Sequence, residues 1–380
     1  MHLRVPPCRP RKPSVNDPRS SSPACQVVSR LRLAPHPLLN ILRRRLFRGA
    51  DVPLHSLAKK SWVVAPAATF VRRPSFFLPG QLERVTGWAY MDDPRQEMQP
   101  GVELYQKPTR GFLLDDAWLI DGTVYKGSVR SYLSRRSRRF PQCWVQRTID
   151  RAALCGTYDG LGFFGLWLTD DCTLVPLAER EGVPVTTHQS PSSHMQAYEA
   201  QVGLRPERVQ SAYFRELVMF DDLDHNLDKG GRFQSMREKI LAKLKVEHHP
   251  GVFILRRDSG KRRVMHNEIE VADHLRKRRG FRVVDVTTDD LPTILGACAG
   301  AEVVVGVEGS HLMHGLLLLD RGRSLLALQP PHRFCSVLKR TMDRDGQHFG
   351  FVVCHADKDG FQANMDEVER TLDLLPRTPS

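Results

Sequence analysis

Two hydrophobic periodicities alternate along the second half of this chain. Short apolar runs rich in β-branched residues have the length of buried strands, and the segments between them carry apolar residues at helical spacing. The predicted strands span 252–255, 281–286, 303–307 and 324–328. The predicted helices span 267–279, a segment capped by Thr288 or Asp289 with Pro292 in its first turn, and 310–319. This β-α-β-α-β-α-β order predicts a doubly wound parallel sheet, which 349–354 and 366–375 extend by a strand and a helix.

The first half mixes strands and helices less regularly. The predicted elements are a hairpin at 111–125 that turns at Asp121-Gly122, strands at 183–187 and 216–220, a loop with a short turn at 205–209, and a helix at 235–245. A chain of 380 residues exceeds the usual limit of a single hydrophobic core. We therefore predict two α/β domains that face a cleft, at 81–245 and 246–380, with ordered structure beginning near Leu82.

The net charge of +13 is confined to the beginning of the chain. Residues 1–80 contain 15 lysines and arginines against two acids, Asp17 and Asp51, so the rest of the chain is neutral. Residues 1–36 are rich in proline, serine and arginine, a composition that predicts disorder. We predict a basic, largely disordered extension at 1–80, and no specific nucleic-acid partner, because the folded body carries no excess of positive charge.

One segment of this extension has a helical pattern. Residues 38–47 read LLNILRRRLF, in which Leu38, Leu39, Leu42 and Leu46 share one helical face and arginines lie toward its rim. A basic amphipathic helix of this kind predicts peripheral contact of residues 38–48 with an anionic membrane. The alternative is a short helix that packs on the folded body.

Cysteine spacing and hydropathy favour a cytoplasmic protein. The eight cysteines form no C-x-x-C pair, which disfavours a zinc knuckle or a thioredoxin-like site and fits reduced thiols. No apolar run approaches the ~20 residues that span a membrane. Prolines and arginines interrupt the N-terminus where a signal peptide needs an apolar core. We predict a cytoplasmic location, at the periphery of the inner membrane if residues 38–48 bind lipid.

The main candidate for chemistry is the junction VVVGVEGSHLMHG at 303–315. In an open α/β sheet, ligands bind beyond the carboxyl ends of the strands, and Glu308, Ser310 and His311 follow such an end. The chain has no G-x-G-x-x-G and no P-loop lysine here, but the glycines of this turn let backbone N–H groups approach a phosphate. The alternative is that these glycines serve only the tight turn.

The polar residues of this junction have more than one interpretation. Glu308 either holds a ribose hydroxyl pair, acts as a general base, or is a solvated loop residue. His311 and His314 have the spacing of a metal-binding pair, but no third ligand lies near in sequence, so we predict no metal site. One of the two histidines is expected to line the cleft and the other to pack in the core.

Two further clusters lie at the ends of predicted elements. Arg256 directly follows a buried strand, where its guanidinium can clamp a diphosphate, and Asn267 is either a helix N-cap or a ligand contact. Asp170 and Asp171 are candidates for binding Mg²⁺ or for a catalytic base. Consecutive helical residues point about 100° apart, so only one of these aspartates can face a cleft.

Four blocks occur in order along the second half of the chain: LRRD followed by RR and NE, then GFRVVD, then AEVVVGVEGSHLMHGL, then a strand that ends in LQP. Together they resemble glycosyltransferase family 61. The earlier blocks FGLWLTDD and RPERV are similar to bacterial members of the family, which are often linked to capsular polysaccharide synthesis. The resemblance covers residues 110–335 or so.

The resemblance implies a GT-B-like pair of Rossmann-like domains. It also implies inverting transfer of a sugar from a nucleotide-sugar donor to a glycan acceptor, without an obligatory metal or cofactor. Carried over by position, the implied donor-binding residues are Arg256, Arg263, Asn267, Gly309 and Ser310, and the candidate catalytic residues are Asp171, Glu308 and His311.

The chain departs from the family in one block. Relatives usually read G-H-W where this sequence has Gly165-Leu166-Trp167. With that histidine absent, Asp171 becomes the leading acid of the first half. Two alternatives are a non-catalytic nucleotide-sugar or polysaccharide-binding protein of the same fold, and a nucleotide-sugar epimerase or dehydrogenase, which the missing G-x-G-x-x-G disfavours.

Overall fold

The structure is a computed structural model, and it describes most of the chain beyond residue 26. The described residues are 27–46, 52–89, 95–135, 140, 142–257, 259–260 and 262–376, with only the backbone described at 27–30. The prediction of disorder at the N-terminus falls largely on residues 1–26, which lie outside the described residues.

The described residues form strands β1–β19 and helices α1–α10. In the first half these are β1 (Val27–Leu33), α1 (His36–Leu46), β2 (Lys60–Ala65), β3 (Ala68–Val71), β4 (Ser75–Phe76), β5 (Glu103–Gln106), β6 (Thr109–Ile120), β7 (Thr123–Lys126), β8 (Val129–Tyr132), β9 (Trp144–Leu154), α2 (Phe164–Leu166), α3 (Cys172–Glu181), β10 (Val183–Thr187), α4 (Ser193–Val202), β11 (Glu207–Val209), β12 (Ser211–Asp221) and α5 (Leu227–Leu241). In the second half they are β13 (His249–Leu255), α6 (Glu268–Arg279), β14 (Arg282–Asp285), α7 (Leu291–Cys298), β15 (Ala301–Val307), α8 (Met313–Leu318), β16 (Ser324–Gln329), α9 (Val337–Asp345), β17 (His348–Val353), β18 (His355–Asp357), β19 (Gly360–Gln362) and α10 (Met365–Leu374). None of the described helices is long and apolar enough to cross a membrane.

The second half contains a six-stranded parallel sheet with the order β14-β13-β15-β16-β17-β4. The predicted doubly wound parallel sheet is therefore confirmed. The β13 strand lies second from one edge, and the chain runs to the edge strand β14 on one side before it returns to β15 on the other. This reversal of strand order opens a crevice at the carboxyl ends of β13 and β15, which is where open α/β sheets bind ligands.

The first half forms a nine-stranded mixed sheet. Four neighbouring strands, β11, β10, β9 and β12, are parallel, and β6, β7 and β8 continue the sheet as an antiparallel meander. The hairpin predicted at 111–125 is confirmed as β6 and β7, and the strands predicted at 183–187 and 216–220 are confirmed as β10 and part of β12. The segment 205–209, predicted as a loop, instead contributes the edge strand β11.

The folded part of the chain begins earlier than the expected Leu82. The β2 strand pairs with β6 of the first sheet, and β4 pairs with β17 of the second. Residues 60–76 therefore belong to the fold and not to a disordered extension. One cluster of buried side chains also runs through both sheets, from Val218 and Ile240 to Ile254 and Leu316, so the two halves share a hydrophobic core.

The connecting helix α5 is attached to the first sheet by buried charges. Lys229 is fully buried, and its Nζ lies 2.5 Å from Asp170 Oδ1 and donates to the Asp222 carbonyl at 2.8 Å. Arg232 donates to both carboxylate oxygens of Asp222, at 2.8 and 3.0 Å. Asn226 caps α5 by accepting a bond from the Lys229 N–H at 3.0 Å. The helix starts eight residues before the predicted 235 because this cap and these pairs lie upstream of the apolar pattern.

We expect Lys229→Met to lower the free energy of unfolding by about 3–5 kcal/mol, because it leaves the buried Asp170 carboxylate without its cation. Urea denaturation followed by circular dichroism measures the change. The matched control is Asp228→Asn, since Asp228 pairs with Arg232 from a side chain that is 40% exposed. The control should cost less than about 1 kcal/mol. Equal losses for both variants would show that the buried network is not what attaches α5.

Candidate functional site

A cavity of 1070 Å³ lies between the two halves and is called the site cavity below. Its lining comes largely from the carboxyl ends of parallel strands in both sheets, and Arg135 is added from the end of the antiparallel strand β8. After β9, β10 and β8 these residues are Tyr158, Asp159, Phe163, Phe164, His188, His194 and Arg135, and after β13 and β15 they are Arg256, Arg263, Ser310, His311 and His314. The volume exceeds the roughly 300–1,000 Å³ of ordinary ligand pockets, so the cavity has room for more than one small ligand.

Two of the predicted donor residues meet at the crevice between β13 and β15. Arg256 follows the last residue of β13, and Gly309 begins the turn after β15. A Cβ added at Gly309 would lie 2.9 Å from Arg263 Nη1, 3.1 Å from His311 Nδ1 and closer still to Arg256 Nη1. Only glycine lets the two guanidinium groups approach the backbone here. The structure therefore brings Arg256, Arg263, Gly309, Ser310 and His311 together at one place.

Glu268 holds the backbone at the end of β13. Its carboxylate accepts the Arg256 N–H at 2.6 Å and the Arg257 N–H at 3.1 Å from the first turn of α6. Arg257 has a φ of 52°, a left-handed conformation that non-glycine residues adopt only when the surroundings enforce it. This carboxylate fixes the bend that turns the Arg256 side chain into the crevice. The sequence alone indicates no role for Glu268, because the N–H groups that it binds lie 11 and 12 residues before it.

Glu308 lies behind the crevice in two ion pairs. Its Oε2 is 2.9 Å from Arg263 Nη1 and 3.0 Å from Arg333 Nη1, and its backbone carbonyl accepts from Arg263 at 2.7 Å. The carboxylate is buried and is not among the residues that line the site cavity. We call Arg256, Arg263 and Arg333 the arginine cluster. Glu308 thus neutralises one of its three charges and orients Arg263, a geometry that disfavours the predicted role as a general base.

The arginine cluster makes its side of the cavity electropositive. Burial, followed by the nearby charge of Arg263, lowers the pKa of Arg256 to about 10. The guanidinium therefore stays protonated at neutral pH, although its charged form is less stable than in water. Among the described residues that line the cavity, Asp159 is the single acid, against the guanidinium groups of Arg135, Arg256 and Arg263. This balance of charge favours an anionic ligand.

His311 and His314 both line the cavity and both are uncharged near neutral pH. Burial, and then the charge of Arg256, holds the pKa of His311 well below its usual range, and a weak contact with the Ile254 carbonyl opposes this shift. Burial lowers the pKa of His314 from 6.5 to about 3. The His314 ring packs against Phe164 at 4.7 Å, and its Nδ1 is 2.9 Å from the Tyr198 hydroxyl. The expectation that one ring lines the cleft and the other packs in the core is therefore wrong, because both rings are buried and both line the site cavity.

The FGLW block of the first half packs directly on the turn after β15. A Cβ added at Gly165 would lie 3.2 Å from Met313 Cγ and 3.3 Å from Ser310 Oγ. The block forms the short helix α2 and continues into a π-helical turn at Trp167–Asp171, a rare conformation that recurs at functional sites. Gly165 therefore sets the distance between the two halves next to the cavity. Leu166, at the position of the family histidine, is not among the lining residues.

The two adjacent aspartates point to different partners, as helical geometry predicts. Asp170 pairs with the buried Lys229. Asp171 Oδ1 accepts from the Thr157 N–H at 2.9 Å and from the Thr157 hydroxyl at 2.8 Å, while its Oδ2 is buried without a hydrogen-bond partner. Burial raises the pKa of Asp171 well above its usual range. It borders a smaller neighbouring pocket of 210 Å³ and not the site cavity. Asp171 holds the turn at 157–160 in place through its two bonds to Thr157.

That turn presents residues that sequence reasoning missed. Tyr158 and Asp159 face the site cavity after β9, and His188 and His194 do so after β10. The missed signal is the sequence TYDGLG, a polar glycine-rich turn of the kind that follows a parallel strand. It was overlooked because β9 itself was not predicted: Arg147, Asp150 and Arg151 interrupt its apolar pattern.

Asn267 has a structural role in place of the two that were predicted. Its side chain donates to the Ala363 carbonyl at 2.8 Å and accepts the Ala363 N–H at 3.0 Å. The amide nitrogen and oxygen are therefore both used in joining α6 to the loop before α10. Asn267 occupies the N-cap position of α6, but its side chain makes no capping bond and does not line the site cavity.

The expected helix at 310–319 is also different. It consists of a 3-10 turn at Ser310–Leu312 followed by the six-residue α8, so its dipole is small. Positive charge at this site comes mainly from the guanidinium groups. In the part of the chain that is described, no group of three or more histidines, cysteines, aspartates or glutamates is arranged to hold a metal ion.

We expect Gly309→Ala to destabilise the fold by about 1–3 kcal/mol, because the added methyl forces the guanidinium groups of Arg256 and Arg263 apart. Gly296→Ala is the matched control, since a Cβ there meets nothing within 4 Å. It lies inside α7, where alanine should stabilise the helix by roughly 0.5–1 kcal/mol. Thermal denaturation measures both changes. An unchanged melting temperature in Gly309→Ala would contradict the close approach described above.

We expect acid to destabilise the fold from about pH 6.5 downward. His314 stays neutral in the folded state down to pH of about 3, whereas in the unfolded chain it takes up a proton below about 6.5. Within that window the free energy of unfolding falls by about 1.4 kcal/mol per pH unit for each such histidine. Urea denaturation between pH 7.5 and 5 should show a shallower slope for His314→Gln than for the parent chain. His332→Gln, at an exposed position, should leave the slope unchanged, and equal slopes for all three proteins would refute the assignment.

Comparisons with known proteins agree with the sequence resemblance. The family model described as Glycosyltransferase 61 matches residues 140–326, which supports membership of glycosyltransferase family 61 and glycosyltransferase activity. No curated protein matches the chain.

Solved structures add little to this. Two mutants of the flavo di-iron protein from Thermotoga maritima are similar over 67% of this chain, with identities of 10% and 11% and a TM-score of 0.25 each. The chain spans 66% of the length of these structures. At that TM-score nothing follows from them about the fold or the activity.

Proposed function

We propose that this protein is an inverting glycosyltransferase that moves a sugar from a nucleotide-sugar donor to a hydroxyl group of a glycan or polysaccharide acceptor. The observation that carries the proposal is the convergence of Arg256 and Arg263 on the Gly309 turn, at the crevice between β13 and β15. The family match at 140–326 covers the turn after β9, both arginines and the Gly309 turn. Synthesis of a capsule-type polysaccharide in the cytoplasm is the biological setting that fits this activity.

The donor diphosphate is proposed to bind between the guanidinium groups of Arg256 and Arg263 and the backbone of Gly309 and Ser310. Guanidinium groups bind phosphate oxygens through paired N–H donors, and they are less strongly hydrated than lysine ammonium groups when buried. Glu308 keeps Arg263 in place through an ion pair that it shares with Arg333. Asn267 is not proposed to bind the donor, because the nitrogen and the oxygen of its side-chain amide both bind Ala363.

The reaction is a single displacement. The acceptor oxygen attacks the anomeric carbon, the bond from that carbon to the diphosphate oxygen breaks, and the leaving diphosphate takes the bonding electrons. Negative charge grows on the leaving group as the bond breaks, so guanidinium groups fixed beside it stabilise the transition state more than the bound donor. The domain arrangement proposed for this chemistry is GT-B-like, with parallel strands of both sheets directing their carboxyl ends at the same cavity. No metal or cofactor is part of the proposal.

The base that removes the hydroxyl proton is proposed to be Asp159. Inversion places the acceptor on the side of the sugar away from the diphosphate, and Asp159 lines the site cavity from the first-half sheet, whereas the arginines line it from the second. Asp171 then positions this base, because it holds the Thr157 end of the same turn. His311 packs beneath Gly309 as a neutral ring, so it supports the donor turn without adding a third charge to Arg256 and Arg263.

We expect Arg256→Ala to lower kcat/KM for sugar transfer by roughly 100-fold or more, because one preorganised donor to the leaving group is lost. A thermal-shift screen of nucleotides and nucleotide-sugars first identifies the donor, since a ligand of the folded state raises the melting temperature. Transfer of radiolabelled sugar then measures turnover. The neighbouring Arg257→Ala is the matched control, because Arg257 pairs with Asp285 from a half-exposed side chain.

The outcomes separate the proposed functions. A similar loss of kcat/KM in Arg256→Ala and Arg257→Ala would show that both substitutions act by distorting the backbone. That result would overturn the proposed role of Arg256. A parent chain that binds a nucleotide-sugar without consuming it would establish the alternative, a non-catalytic binding protein. Arg256→Lys keeps the charge but not the paired N–H donors, so it should recover only part of the activity.

We expect Asp159→Asn to lower kcat by roughly 100-fold while donor affinity stays unchanged, because general base catalysis contributes about 10²–10⁴ in rate. Asp171→Asn should have a smaller effect, since the amide oxygen can still accept the two bonds from Thr157. Isothermal titration with the donor and initial rates against pH distinguish binding from proton transfer. A greater loss of kcat in Asp171→Asn than in Asp159→Asn would exchange the two roles.

A further inference from the structure

Helix α1 is attached to the fold through one face only. Asn40 is buried, and its Nδ2 donates to the Ser128 carbonyl at 2.7 Å. The His36 ring lies 5.0 Å from the Trp118 ring, and its Nδ1 is 3.0 Å from the Gly127 carbonyl. These contacts anchor the helix on the turn between β7 and β8 and fix which of its sides faces outward.

The outward side consists of leucines. We call Leu38, Leu39, Leu42 and Leu46 the leucine face; their exposed fractions are 52%, 42%, 52% and 65%. With 3.6 residues per turn, the four side chains fall within an arc of about 100°. The preceding strand adds Leu31 and Leu33, which are 68% and 76% exposed. An apolar stripe that stays about half-exposed on an ordered helix marks an interaction surface.

Arginines border the leucine face on both sides. At helical spacing, Arg43 lies next to Leu39 on one edge, and Arg45 lies next to Leu38 on the other. The helix sequence HPLLNILRRRL contains no acid that could neutralise them. Leucines flanked by cations on both edges are the arrangement of helices that lie in a membrane interface, with the apolar side among acyl chains and the cations at the lipid phosphates.

We propose that α1 is a docking element that binds the surface of an anionic lipid bilayer. The leucine face enters the boundary of the acyl chains, and Arg43 and Arg45 contact the headgroup phosphates. The observations favour lipid over a second copy of this chain. A symmetric contact between two leucine faces would bring the arginines of both helices together, and the helix offers no acid to relieve their repulsion. The inference does not depend on the proposed transfer reaction.

The test uses the full chain and sedimentation with two kinds of vesicle. One is phosphatidylcholine alone, and the other contains about 30 mol % phosphatidylglycerol to give an anionic surface. We expect binding to the anionic vesicles that weakens as salt is added, because surface attraction is screened. Leu38→Asp combined with Leu42→Asp should lower the affinity at least roughly tenfold, because it puts charge into the apolar boundary. Arg43→Glu combined with Arg45→Glu should abolish the preference for anionic vesicles.

Matched controls exist elsewhere on the surface. Leu223→Asp with Leu374→Asp changes two leucines that are 63% and 46% exposed outside α1. Lys277→Glu with Arg278→Glu reverses two exposed charges at the basic end of α6. Both controls should bind vesicles like the parent chain.

Three results would overturn the proposal. The first is a parent chain that does not sediment with anionic vesicles, and the second is a set of α1 variants that bind as tightly as the controls. The third is a parent chain that light scattering shows to be a dimer, with leucine variants that are monomers. The last result would make a second copy of the chain the partner of the leucine face. Circular dichroism of each variant, with its melting temperature, confirms that the fold is retained.

Discussion

The approach of two guanidinium groups to one glycine is the contact on which the rest of the site depends. Arg256 is directed there because Glu268 binds two successive N–H groups at the end of β13. Arg263 is directed there because Glu308 binds its guanidinium from behind. Gly309 admits both, since any side chain at this position would collide with them. The carboxylates of Glu268 and Glu308 thus orient Arg256 and Arg263, whose side chains line the cavity.

The same turn also determines how the halves meet. Ser310 lies against Gly165, and His314 lies against Phe164 and the Tyr198 hydroxyl, so residues 310–314 form part of the interface as well as of the cavity lining. The geometry of a site at this interface depends on the position of both sheets. The interface also explains why His314 is neutral, since a charge at this position would have to be buried between two aromatic rings.

Much of the second half could be predicted from sequence, and less of the first. Buried parallel strands are continuous apolar runs with clear ends, so periodicity located β13 to β17. The β9 strand carries Arg147, Asp150 and Arg151, whose partners Glu207, Arg215 and Glu216 come from β11 and β12. Such cross-strand pairs exist only after the sheet forms, so the strand and the turn that follows it were missed. Glu308 and Asn267 were misjudged for the same reason, because Arg333 and Ala363 lie 25 and 96 residues away in the chain.

The electrostatics of the arginine cluster connect folding to the proposed chemistry. Burial and the charge of Arg263 lower the pKa of Arg256, which means that the folded protein holds a cation under conditions less favourable than water. Glu308 offsets this only in part, because it pairs with Arg263 and Arg333. Under the proposed function, an anion that enters beside Gly309 is attracted by Arg256 and Arg263, and this attraction strengthens as negative charge grows on the leaving diphosphate. The buried guanidinium groups therefore stabilise the transition state for sugar transfer more than the bound donor.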